Sequence, residues 1–181
     1  VFKTVCETGW VIKAIKLEGQ TMSRKDIDDL TEVARKEWAR GLAYIIYDEN
    51  EEGGKKSPIL KFMSESEIAE LENRLEPKNG DIIFFSADEF KRAVSILNKV
   101  RLALRDKFNL ADPKKLALCW IIDFPMFEQD EASGKIDFAH NPFSMPIGWL
   151  EAFEKWDLLS MKANQYDLAC NGYEILSGSI R

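Results

Sequence analysis

The pair Asn171-Gly172, set between alternating apolar residues in "YDLACNGYEILSGSIR", restricts this 181-residue chain more than any other stretch. A two-residue type I′ loop needs positive φ at both central positions, which asparagine and glycine accept and most residues do not. The turn fixes a hairpin register in which Cys170 faces Tyr173 and Ala169 faces Glu174. Asp167 lies two residues from Ala169 and so shares the face that carries Glu174, as a diagonal neighbour about 7 Å away between backbones.

Two carboxylates so placed repel by on the order of 1 kcal/mol in water and by more in a partly buried site. A hard cation that keeps its waters and bridges substrate phosphates would relieve the repulsion, and magnesium is the natural occupant. Two solvated acids on an exposed hairpin is the other reading, and spacing alone leaves both open. Arg181 is seven residues beyond Glu174, which in a regular strand puts it on the opposite face. A bulge in "SGS", around Gly178, would turn it back. There its planar fork suits a carboxylate ligand; otherwise it is an exposed charge. His140, the one histidine, sits in "AHNPF", where Asn141-Pro142 favours a turn. It is either a plain polar residue or part of a substrate-facing loop, with no second histidine or paired cysteine to make a transition-metal site.

Upstream, short apolar runs alternate with amphipathic segments. "WVIKAIKLEG" has strand periodicity, with Val11, Lys13, Ile15 and Leu17 on one face. "SRKDIDDLTEVARKEWARG" predicts a helix capped at Ser23, with Ile27, Leu30, Ala34 and Trp38 at helical spacing and a stop at Gly41. "LAYIIYD" and "PILKFMS" predict two strands of a hairpin around the turn "ENEEGGKKS". "SESEIAELENRL" opens with a capping box, Ser64 and Glu67, and Pro77 ends it. "GDIIFFSAD" predicts a buried strand, and a long helix follows with Phe90, Val94, Leu97, Arg101, Leu104 and Phe108 near one face.

The expected fold class is α+β, a two-layer α/β sandwich with a largely antiparallel sheet over residues 1–113. Residues 114–181 have a different texture. "LALCWIIDFPMFE" is a continuous apolar run of the kind buried on both faces, and it lacks enough strand partners within the same chain. Trp149, Phe153 and Trp156 follow roughly helical spacing and are expected to pack. A net charge of -6 leaves no general basic field, so any nucleic-acid contact must be local. Cys6, Cys119 and Cys170 are odd in number and far apart, which argues against a disulfide framework or a zinc ribbon and for a reducing cytoplasm. No apolar run is long enough to span a bilayer, and the start at Val1 points to a missing or processed N-terminus.

"WIIDFPMFE", "HNPFS" and "QYDLACNGYEILSGSIR" together resemble the catalytic core of bacterial-type aspartyl-tRNA synthetases, which are class II ligases. "IKAIKLEG", "SRKDIDDL", "GLAYI", "GDIIFFSAD" and "ALRDKF" resemble the insertion domain of the same enzymes, the GAD domain. The resemblance implies a GAD-type domain over 1–113 and a partial class II catalytic sheet over 114–181. It implies that Asp167 and Glu174 hold magnesium against the phosphates of ATP, and that Arg181 grips the side-chain carboxylate of aspartate. His140 would lie on a mobile loop near the amino acid, with the backbone of Ser177 and Gly178 lining the pocket. "HN" stands where many members have two histidines, so only His140 is carried over. The implied partners are ATP, aspartate and tRNA, in a cytoplasmic homodimer with no membrane contact. The dimer-interface segment, an Arg-x-Glu loop for ATP and the N-terminal anticodon domain have no counterpart here, so the isolated chain is expected to be inactive. The rival expectation is a stand-alone insertion module that binds tRNA or a partner protein.

Overall fold

The computed structural model describes residues 7, 9–130, 132–154 and 157–181. Cys6 and Trp156, both named above, lie outside the described residues. The chain divides into two compact units, Val1–Asp112 and Pro113–Arg181.

The first unit runs β1 (Val11–Leu17), α1 (Arg24–Lys36), β2 (Ala43–Tyr47), β3 (Lys55–Lys56), α2 (Glu65–Leu75), β4 (Ile82–Asp88) and α3 (Phe90–Phe108). Its sheet has the order β1-β4-β2-β3, with every neighbouring pair antiparallel. "GDIIFFSAD" becomes the central strand because both its faces are apolar. Ile82 and Phe84 face Leu17, Ile27, Leu30, Ile96 and Val100 in one cluster. Ile83 and Phe85 join Ile45 and Tyr47 in the other, where Ile59, Leu60, Met63, Leu71 and Leu75 pack against them. The mixed antiparallel architecture is as expected, and α2 with the segment before it covers the second face as well.

Both expected caps form. Ser23 accepts from the Asp26 N–H while Asp26 accepts from the Ser23 N–H, and Ser64 and Glu67 repeat the arrangement at α2. Asp26 also receives the Lys107 ammonium at 2.6 Å, which ties the start of α1 to the end of α3. The hydrogen bond from Lys107, followed by those from Ser23, holds the Asp26 carboxyl down at about 2, against an ordinary 3.8. A depressed carboxylate stabilises the fold above its ordinary pKa and loses that contribution as pH falls towards the folded value. Asp26→Asn is therefore expected to lower the melting temperature at pH 6, with the gap to wild type closing between pH 4 and pH 2 in paired thermal melts. Asp81, 3% exposed, accepts from the Gly19 and Lys78 N–H groups, each at 2.9 Å, and so anchors the chain entering β4 to the chain leaving β1.

Four local expectations are corrected. α1 stops at Lys36, and Trp38, at φ 68°, is 85% exposed instead of continuing the apolar stripe. "PILKFMS" is not a strand: β2 pairs instead with Lys55–Lys56, and Leu60–Phe62 makes a 3₁₀ turn. Pro58 has no N–H to give a ladder, and the Ser57 hydroxyl donates to the Tyr44 carbonyl and closes off that edge. The buried stripe of α3 is Ala93, Ile96, Leu97, Val100 and Leu104, while Phe90 and Val94 are exposed.

The fourth concerns the second unit. It contains β5 (Leu118–Ile121), β6 (Phe124–Pro125), β7 (Phe127–Gln129), β8 (Ile136–Phe138), the short helix α4 (Trp149–Glu154), β9 (Lys162–Ala163), β10 (Gln165–Cys170) and β11 (Tyr173–Ser179). Its main sheet has the order β11-β10-β5, with two-stranded pairs β6-β9 and β7-β8. Trp149 and Phe153, expected to pack, are exposed, and the apolar run that is short of strand partners stays open, with every residue of β5 exposed. Three strands, with Met126, Met161 and Ala163 as the one buried apolar cluster among the described residues of this unit, cannot cover both faces.

Candidate functional site

The Asn171-Gly172 loop forms as read, with φ of 51° and 86°, and the register is Cys170↔Tyr173 and Ala169↔Glu174. The asparagine does more than turn the chain. Its side-chain oxygen accepts from the Ala117 N–H at 2.8 Å, its amide donates to the Lys115 carbonyl at 3.0 Å, and its own N–H donates to the Ala117 carbonyl at 2.9 Å. The loop is thereby fastened to the start of β5, which then pairs with β10 from Cys170↔Leu118 to Asp167↔Ile121.

Between Ala169↔Glu174 and Leu168↔Leu176 the register shifts by one, leaving Ile175 as the extra residue on β11. This bulge lies upstream of the "SGS" stretch. It has the effect that the turned-back arginine requires, because one inserted residue reverses the facing of all that follow. Asp167 now pairs with Ser177 and Tyr166 with Gly178. The pairing continues past β11 through the Ile180 N–H to the Asn164 carbonyl at 2.9 Å. Strand parity then puts Asp167, Glu174, Ser177 and Arg181 on one face and Gly178 on the other.

The loop that carries His140 is joined to this strand end. The Met145 N–H donates to the Ile180 carbonyl at 2.7 Å and the Asn164 N–H to the Met145 carbonyl at 2.7 Å. Asn141 and Pro142 turn as expected, with the Ser144 N–H donating back to the Asn141 carbonyl at 3.1 Å. The exposed His140 ring meets Phe124 edge-on at 5.3 Å, and the Arg181 guanidinium lies 4.5 Å from the Phe143 ring centroid. Nearby, Gln165 Oε1 and Ser144 Oγ are buried with no hydrogen-bond partner. Phe143, Gln165 and Ser144 carried no sequence signal, because their placement depends on the 139–147 loop folding against β9 and β10.

Gly178 has a steric reason to be glycine. A Cβ there would lie 2.6 to 2.8 Å from the ring and hydroxyl of Tyr166, which in turn meets Trp120 edge-on at 5.8 Å. Gly178→Ala is expected to loosen the hairpin by about 1–3 kcal/mol through overpacking. Amide exchange across β10 and β11 reads the loss, and adding Tyr166→Ala should restore most of the protection.

Among the described residues no three His, Cys, Asp or Glu side chains gather into a metal-binding group. Asp167 and Glu174 alone are too few ligands for a closed protein cage, and the donor set fits a hard cation that takes its remaining oxygens from water and nucleotide phosphates. A cleft of about 920 Å³ in the first unit, floored by Tyr44, Ile46 and Ile82, contains none of these residues. No helix among the described residues is long and apolar enough to cross a membrane.

Along its whole length the chain is 45% identical to the aspartate–tRNA(Asp/Asn) ligase of Chlorobium phaeovibrioides, covering 30% of that protein. It is 42% identical over 99% of its length to the ligase of the same name from Beijerinckia indica, and 39% identical over its whole length to that of Rickettsia felis. The chain thus spans about 30% of the length of the curated relatives it matches. Residues 2–97, more than half of the chain, match the GAD domain, and the chain belongs to the GAD domain family.

Proposed function

We propose that this chain serves in an ATP-dependent aspartate–tRNA ligase, where residues 1–113 form the GAD insertion domain and 114–181 supply part of the catalytic sheet. The single observation that carries the reading is the Ile175 bulge. It brings Arg181 to the face that Asp167 and Glu174 already share through the hairpin register, while the Met145 pairing holds the His140 loop beside the strand end.

In this reading Asp167 and Glu174 hold magnesium, which when bound neutralises charge on the phosphates of ATP. Arg181 leaves Phe143 to grip the side-chain carboxylate of aspartate through two parallel hydrogen bonds. Ser177 and Gly178 offer backbone at the wall of that pocket, and His140 approaches the amino acid from its loop. The α-carboxylate of the held aspartate attacks the α-phosphorus of ATP and pyrophosphate leaves; a hydroxyl of the terminal ribose of tRNA then attacks the aspartyl carbonyl, and AMP leaves. Little covalent help is required, so rate comes from positioning and from charge fixed in advance. The relatives' shared name supports a tRNA range that includes both the aspartate and asparagine acceptors. A homodimeric, cytoplasmic ligase is the natural setting, and the 181 residues alone do not activate aspartate.

The test is a chimera in which this chain replaces the matching segment of the C. phaeovibrioides ligase. Asp167→Asn and Glu174→Gln should each raise the magnesium concentration for half-maximal ATP–pyrophosphate exchange by about 10- to 100-fold. An unchanged magnesium requirement in both variants would remove the two residues from the metal site.

A further inference from the structure

The first unit presents a second feature with recognisable chemistry, independent of the hairpin. β1 is the outer strand of its sheet, paired with β4 in unbroken register from Val11↔Asp88 to Leu17↔Ile82. Among the described residues no backbone group of Val11–Leu17 is bonded on the other side. Seven residues at about 3.3 Å each make an open edge of about 23 Å. Beside it, α3 leaves a groove of about 560 Å³ whose apolar lining includes Ile15, Phe90 and Val94, and whose charged residues, Lys13, Lys91 and Arg101, are all cations. Phe90 is 57% and Val94 44% exposed. In a chain of net charge -6 this is a local reversal of sign.

We infer that this edge and groove dock an extended acidic peptide segment, which adds to the sheet as a strand alongside β1. The unpaired N–H and C=O groups of β1 supply the affinity, and the side chains facing α3 supply the selectivity. From Phe90 to Arg101 is eleven helical steps, about 16 Å, or about five residues of strand. The preferred segment therefore carries apolar residues at its centre, against Ile15 and Val94, with carboxylates at the ends, one near Lys13 beside Phe90 and one near Arg101.

Two features of the geometry favour this occupant. An edge lysine ordinarily guards against strand pairing, but the Lys13 ammonium lies over the Phe90 ring, 5.0 Å from its centroid, on the α3 side of the sheet. A second copy of the chain paired antiparallel across this edge would bring like cations together, which is unfavourable. A single RNA strand could meet the cations but cannot continue a backbone ladder, and Phe90 is the groove's one aromatic residue, short of a stacking platform.

The test is fluorescence anisotropy with the 181-residue chain and a labelled peptide, Glu-Ser-Val-Ser-Val-Ser-Glu. A copy N-methylated at alternate peptide bonds on its ladder side and an unstructured RNA dodecamer serve as comparisons. Saturable binding is expected, lost on N-methylation and weakened about tenfold or more by Lys13→Glu and by Arg101→Glu. Both sites are at the surface; Lys13→Ala and Arg101→Gln, with near-ultraviolet circular dichroism, separate lost contact from lost fold. No saturation up to about 1 mM peptide, equal binding of the methylated copy, indifference to the charge changes, or preference for the RNA would each overturn the inference.

Discussion

Arg181→Leu, placed in the chimeric ligase, is expected to lower kcat/KM for aspartate in pyrophosphate exchange on the order of 10⁴-fold. The size follows from what the side chain is asked to do. A buried carboxylate ligand without its guanidinium keeps the cost of leaving water and gains nothing in return, whereas asparagine, which carries no charge, is affected far less. Discrimination between the two amino acids should therefore collapse along with the rate. Arg181→Lys retains the charge but loses the planar fork, and it is expected to fall between wild type and the leucine variant. In the free chain the guanidinium rests on the Phe143 ring at 4.5 Å, a contact it can give up cheaply because cation–π pairs at exposed sites contribute only about 0.5–1 kcal/mol. Phe143→Ala should accordingly change aspartate affinity little compared with loss of the arginine.

The second large effect belongs to the fold. Phe84 has no exposed surface and sits in the middle of β4, paired on one side with Ile15 and on the other with Tyr44. Phe84→Ala removes a large side chain from a site walled by Leu17, Ile96, Val100 and Leu104. Neighbouring strands are held by their ladders and cannot collapse fully into the space, so the expected loss is about 3–5 kcal/mol. That is a large share of the stability of a domain this size. Urea titration of the chain should show the first unit's transition moving to much lower denaturant, with amide exchange in β10 and β11 serving as the control that the hairpin is unaffected.

How far the sequence could be read depended on whether the deciding interactions were local. The Asn171-Gly172 register and the two helix caps rest on residues within four positions of one another, and all three were legible. The continuous burial of β4 was legible too, because Ile-Ile-Phe-Phe leaves no polar face. The bulge was expected in the wrong place. It occurs at Ile175, between Ala169↔Glu174 and Leu168↔Leu176, where no glycine marks it in the sequence. "PILKFMS" had strand composition but belongs to a turn, since Ile59, Leu60 and Met63 find burial on the second face of the sheet without a ladder. The exposed Phe90 and Val94 were read as core because helical spacing alone does not say which stripe a neighbour will cover. The asparagine's three bonds to Lys115 and Ala117, and the orphaned Gln165 and Ser144, were beyond sequence reading because their partners or neighbours are distant in the chain.

The proposed role rests on one claim: the hairpin face supplied by these residues is part of an aspartate-activating centre that needs further ligase sequence to work. ATP–pyrophosphate exchange measured side by side on the isolated 181-residue chain and on the chimera tests it. The account predicts no aspartate-dependent exchange from the isolated chain, and exchange from the chimera that disappears with Arg181→Leu. Exchange by the isolated chain, or an active chimera indifferent to the loss of Arg181, would contradict it.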